Sequence, residues 1–228
     1  MVIFSRNLKL AWLNETARLW RLSLPVSECR ERLTAYLSAE ITSPTNLRKT
    51  REILMRLWFY DGAAANLRGE AAALLETCPN AAAIHWSLML VTYPVFAELS
   101  RIIGRLFELG EVVTARQIRQ KLFDALGERT TLFYSAEKIL STLREFGLLT
   151  ARKPGQYTLT PSVVDDERIT ALLIRAALTV EGGSYRRLNE LENLSVLYPF
   201  RLRVTAAMLD EKIFTVTSMG GERVVLLK

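Results

Sequence analysis

Apolar residues recur at spacings of three and four through most of this chain, the pattern of helices that bury one face. Between Asn7 and about Leu22, Leu8, Ala11, Trp12, Leu19 and Trp20 follow that period, Leu13, Leu22 and Leu24 widen the face, and Pro25 stops the helix. A second helix, with Ser27 as its cap, is expected to bury Cys29, Leu33, Tyr36 and Leu37 before a turn at Thr42-Ser43-Pro44-Thr45. The third, Asn46 to about Tyr60, turns Leu47, Ile53, Leu54, Leu57 and Trp58 inward and leaves Arg48, Lys49, Arg51, Glu52 and Arg56 outward. Ala63 to Thr77 is helical by propensity and is ended by Cys78-Pro79. Ala81 to Tyr93 follows as an uncharged helix. Pro94 opens another, with Val95, Leu99, Ile102, Ile103, Leu106 and Phe107 on its apolar face and Gly110 at its close.

Residues 112 to 160 read as helix, helix and two-stranded hairpin, the order of a winged helix, with the helix opened by Pro94 as its natural first helix. Thr114 and Gln117 make a capping box, and Ile118, Leu122 and Leu126 give the helix behind it an apolar face. The second helix, about Ser135 to Phe146, puts Ala136, Ile139, Leu140, Leu143 and Phe146 on one side and leaves Tyr134, Lys138, Ser141, Thr142 and Glu145 outward. Gly147 suits a left-handed helix end, and the β-prone runs Leu148 to Arg152 and Gln156 to Thr160 meet at Lys153-Pro154-Gly155. An apolar back with a hydroxyl-rich, basic front suits a DNA major groove, with the cationic hairpin tip on the neighbouring backbone. Three features weigh against that: Gly127 to Phe133 is long for the turn of a helix-turn-helix, Glu137 and Glu145 would repel phosphate, and such folds also dock proteins.

Beyond Pro161, Asp165-Asp166-Glu167 marks a helix start that buries Ile169, Leu172, Leu173, Ala176 and Leu178, and Gly182-Gly183-Ser184 is expected to end it and cap the next. A short helix from Arg203 to about Glu211 and strands Ile213 to Thr217 and Arg223 to Leu227 then suggest a second, degenerate helix-and-hairpin element. The expected class is mainly α, a helical bundle with a winged-helix/helix-turn-helix module and small β-hairpins. Its three parts are residues 1–94, a helical region with the basic helix; 95–161, the winged module; and 162–228, the C-terminal helices and hairpin.

Charge changes this picture by its distribution. The net charge is +6, but residues 1–60 carry 10 Lys and Arg against 5 Asp and Glu, residues 61–112 carry 3 against 6, residues 113–160 carry 8 against 4, and residues 161–228 carry 9 of each. Positive charge is thus concentrated in two blocks separated by an acidic one. The candidate DNA-binding residues are Arg48, Lys49, Arg51 and Arg56 in the first block and Arg116, Arg119, Lys138, Ser141, Thr142, Arg152 and Lys153 in the second. Hydropathy alone flags residues 77–97, yet Pro79, Asn80, His85 and Pro94 interrupt them, as fits a buried central helix better than a membrane span. Cys29 and Cys78 are far apart, without zinc spacing or a disulfide framework, and the N-terminus lacks a signal-peptide pattern, so a cytoplasmic protein with two buried thiols is expected. One histidine, His85, lies in an apolar helix, and no phosphate loop, metal cluster or nucleophile elbow is present. No catalytic residue, metal or cofactor is therefore expected. Sequence alone does not separate a DNA-binding protein from an adaptor whose basic face docks acidic protein.

Asn46-Leu47 followed by Thr50-Arg51 and Arg56-Leu57, then Tyr93-Pro94 with Phe96 and Glu98, and finally Ser135 to Leu149 ending in Gly-Leu-Leu resemble the BrxA family of bacterial bacteriophage-exclusion (BREX) systems. The resemblance covers roughly residues 40–160 and rests on short motifs. It implies a non-enzymatic, double-stranded DNA-binding component of antiphage defence, with other defence-system subunits as further partners.

Overall fold

A computed structural model describes residues 4–183 and 185–228. The chain is mainly helical, with three small sheets. Its first part is α1 (Leu10–Arg21), α2 (Val26–Ser38), α3 (Pro44–Trp58), α4 (Ala65–Thr77), α5 (Ala81–Thr92) and α6 (Pro94–Leu109). Next come β1 (Val112–Thr114), α7 (Ala115–Leu126), α8 (Thr130–Glu145), β2 (Leu149–Lys153) and β3 (Gln156–Leu159). The remainder is β4 (Ser162–Val163), α9 (Glu167–Glu181), β5 (Arg186–Arg187), β6 (Phe200–Arg201), β7 (Phe214–Met219) and β8 (Glu222–Leu227), with short 3₁₀ turns between β5 and β7.

The uncharged stretch becomes the centre. Ala82 through Leu90 of α5 are all buried, and α1, α3, α4, α6 and α9 pack round that helix. Among the described residues no single helix is long and apolar enough to cross a membrane, and α5 and α6 meet at a bend of 117° where Pro94 starts α6. Trp86 on α5 donates from its ring N–H to the Val196 carbonyl at 3.0 Å and meets Phe96 and Phe200 edge-on. This ties the C-terminal third to the core. Gly104 permits the same docking on α6: a Cβ there would lie 2.1 Å from the backbone oxygen of Ser195.

Tertiary contacts move several elements from where the sequence pattern puts them. The first helix starts at Leu10, not Asn7, because Phe4 packs on Tyr93 and Phe96 and the Leu8 N–H donates to Thr142 Oγ1 at 3.0 Å, which holds residues 4–9 outside the helix. Pro25, not Ser27, stands at the N-cap of α2, while Ser43 caps α3, so the expected turn at 42–45 is already helix from Pro44. Tyr36 and Ala11 are exposed rather than buried. Arg68, buried on α4, donates to the carbonyls of Leu57, Arg56 and Tyr60 and so satisfies the orphan acceptors at the end of α3.

At the other end, α9 begins where expected, with the Asp166 carboxylate accepting from Arg168 N–H. The anticipated helix after Gly183 is instead β5 and a 3₁₀ segment, Leu188–Asn193, and the Ser184 cap lies outside the described residues. The expected helix 203–211 shrinks to a 3₁₀ turn, Ala206–Met208. It leads into a hairpin that β5 joins, giving the strand order β5-β8-β7.

Candidate nucleic-acid interface

Local rules build the 112–160 region closely. The capping box at Thr114 and Gln117 is present, and Gly127 at a φ of 78° ends α7. α8 starts at Thr130 rather than Ser135, since Leu132 extends the buried stripe of Ala136, Ile139 and Leu143 by a turn. The expected long connection is thereby reduced to Gly127–Arg129. Gly147 at a φ of 72° closes α8 with two bonds, its own N–H to the Arg144 carbonyl and Leu148 N–H to the Leu143 carbonyl, a Schellman end. Pro154-Gly155 then turns β2 into β3. The third strand, β1, pairs antiparallel with β3 to give the order β1-β3-β2. Three residues are too few to show a strand period, so the sequence pattern does not reveal β1.

The solvent face of α8 carries Thr130, Thr131, Tyr134, Glu137, Ser141, Arg144 and Glu145, with Lys138 half-buried beside it. Thr142, expected on this face, is fully buried: its hydroxyl accepts from Leu8 N–H and donates to the Lys138 carbonyl at 2.9 Å. It cannot touch a ligand on that surface. Arg116, Arg152 and Lys153 are exposed, and Arg119 is half-buried with its guanidinium 4.9 Å from the Phe133 ring centroid. Among the described residues none of the eight Lys and Arg side chains between 113 and 160 makes an ion pair. Lys121, Arg129 and Arg144 belong to that set although they were not singled out by the sequence pattern. Their exposure depends on which way each helix faces, which α7 and α8 settle only once folded.

The first basic block is arranged differently. Lys9 pairs with Glu40, Arg18 with Glu15, Arg21 with Glu76, Arg32 with Glu28 and Arg51 with Glu52. Arg51 also donates to Thr34 Oγ1 at 3.1 Å, and Glu52 accepts from Tyr60, which Arg30 contacts at 2.7 Å. Burial raises the pKa of Glu52, but the bonds from Tyr60 and Arg51 outweigh it and the carboxyl stays below its ordinary value. Arg51 is therefore held within the fold rather than presented outward as expected. Arg48, Lys49 and Arg56 remain exposed without a side-chain partner among the described residues.

The two blocks are joined by residues 5–9. Arg6 donates to Asn46 Oδ1 in the first turn of α3 at 2.7 Å, Leu8 bonds Thr142, and Lys9 feels the charge of Glu145.

His85 is a core residue, as expected. It is fully buried, its Nε2 lies 2.8 Å from Asn14 Oδ1 on α1, and burial pushes its pKa down to about 3. Both cysteines are free thiols, and Cys78 donates to Asp166 Oδ2 at 3.1 Å. Among the described residues no three His, Cys, Asp or Glu side chains converge as metal ligands would. Comparison of the chain with known protein families, with curated proteins and with solved structures finds no match.

Proposed function

We propose that this protein binds double-stranded DNA, chiefly through phosphates, with α6, β1, α7, α8, β2 and β3 acting together as a winged helix. The succession of helix, short strand, two helices and hairpin, with strand order β1-β3-β2, supports that reading. In it α8 faces the major groove and the Arg152-Lys153 tip reaches the backbone. The observation that carries the reading is electrostatic: among the described residues the cations of 113–160 have no acidic partner, whereas a block serving only the fold would pair them. Near the middle of the α8 face stand Glu137, Lys138 and Ser141, none of which offers the bidentate contact of Arg, Asn or Gln, and Arg144 towards its end is the one side chain there that does, so weak sequence preference is expected. The resemblance to the BrxA family supports reading that activity as part of BREX antiphage defence, without catalysis.

The test is a salt-titrated binding assay with duplex DNA. Changing Lys138, Arg152 and Lys153 together to Ala should flatten the plot of log K against log salt by roughly 0.9 per lost phosphate contact, for all duplex sequences alike. Failure of the wild-type protein to bind duplex at low salt would refute the proposal and return the basic face to an acidic protein partner.

A further inference from the structure

The C-terminal sheet ends in an open edge. β7 pairs with β8 on one side, β8 pairs with β5 on its other side, and among the described residues no strand pairs with the outer side of β7. The backbone alternation follows from the turn. Gly220 and Gly221 both have positive φ, 60° and 84°, so they form a two-residue turn closed by the pair Met219 and Glu222. Thr215 and Thr217 therefore bond β8 as Met219 does, and the Lys228 N–H to Ile213 carbonyl bond at 2.9 Å continues that alternation. Val216 and Ser218 consequently aim both N–H and C=O away from β8, as Phe214 does its C=O; the Phe214 N–H is used by the Asp210 carbonyl at 2.8 Å. Residues 213–221 contain no charged side chain and no proline. Chains that remain monomeric usually interrupt such an edge with Lys, Pro or a bulge.

We propose that β7 pairs antiparallel with β7 of a second copy of this chain, about a two-fold axis at Val216. That register sets Val216 against its own counterpart and Ser218 against Phe214 of the other copy. Each Val216 N–H then meets the opposite Val216 carbonyl, and each Ser218 N–H meets the opposite Phe214 carbonyl, so the edge is complementary to itself. Val216, 37% exposed, gains an apolar neighbour, and no like charges face each other along the strand. A peptide of unrelated sequence would need side-chain pockets beside the edge for specificity, and the principal cavities of the molecule include no β7 residue.

Sedimentation of the full chain across roughly 5–200 µM, the range in which a small interface populates both species, should show monomer passing to dimer. Val216→Lys and Val216→Glu should each abolish the dimer, because like charges then meet at the axis, and an equimolar mixture of the two should restore it. Hydrogen exchange supplies a control within one strand. The Val216 and Ser218 amides should slow with concentration, whereas those of Thr215 and Thr217, bonded to β8, should be protected throughout. A wild-type chain that stays monomeric with freely exchanging Val216 and Ser218 amides overturns the proposal, and so does a dimer that survives both charged variants.

Discussion

The two basic blocks carry similar excess charge, +5 in residues 1–60 and +4 in residues 113–160, yet they use it in different ways. In the first, half of the cations are ion-paired, and two more, Arg6 and Arg30, are bonded to Asn46 and Tyr60. Some of these contacts hold helices together, since Lys9 joins the start of α1 to Glu40 after α2 and Arg21 joins α1 to α4, while the pairs of Arg18, Arg32 and Arg51 each lie within one helix. In the second block no cation has an acidic partner among the described residues, although Asp124, Glu128, Glu137 and Glu145 lie in the same segment. Net charge counted along a sequence does not distinguish charge used by the fold from charge left for a partner. Geometry does, because an ion pair needs its two side chains within reach of each other, on one helix face or on facing surfaces.

The comparison can be broken most forcefully at the core that separates the blocks. His85 binds Asn14 of α1 and stays neutral because burial lowers its pKa to about 3, against about 6.5 when unfolded. Above about pH 6.5 both states are neutral and the ring costs nothing. Below that, the unfolded chain takes up a proton that the folded one refuses, so stability is lost progressively as pH falls towards about 3. Between pH 6.5 and pH 4 this should amount to roughly 3 kcal/mol. Urea unfolding of wild type and His85→Phe at both pH values isolates the effect, and the variant should lose that much less on acidification. Equal losses would mean that the ring is hydrated and that α1 is not docked as described.

The next test bears on the stitch between the blocks. Thr142→Val keeps the side-chain shape but removes the acceptor of the buried Leu8 N–H, which should cost about 1–3 kcal/mol. Unfolding midpoints and exchange of the Leu8 amide both report it. A DNA-contacting Thr142, as its place in the sequence suggests, would do the reverse, weakening binding while leaving stability unchanged.

Thr142 also illustrates what was legible in the sequence. Helix periods, the capping box, Gly147 and the Pro154-Gly155 turn act within a few residues, so most of the helices, both hairpins and the central burial of α5 could be read directly. Misplaced features depend on distant partners. Thr142 is buried by Leu8, 134 residues away, α1 starts late because Phe4 is drawn to Tyr93, and Arg51 is captured by Thr34 and Glu52. A helical wheel reports that Thr142 and Ser141 are polar, but it does not report which of them another segment covers.

The smallest effect gives the finest distinction, between two cations two residues apart on α3. Lys49 is exposed and follows Asn46 by three residues, so it lies on the side of α3 that carries the Arg6 contact. Arg51 is already engaged by Glu52 and Thr34. If α3 and α8 line one DNA path, Lys49→Ala should lower the salt slope of duplex binding by about 0.9, one phosphate contact, with stability changed by less than about 0.5 kcal/mol. Arg51→Ala should do the opposite, leaving the slope alone and lowering stability by about 0.5–1 kcal/mol, the scale of a partly exposed ion pair. A slope unchanged by Lys49→Ala in a protein that still binds DNA through its second block would assign the free face of α3 to a different partner. The two blocks would then differ in what they bind as well as in how their charges are paired.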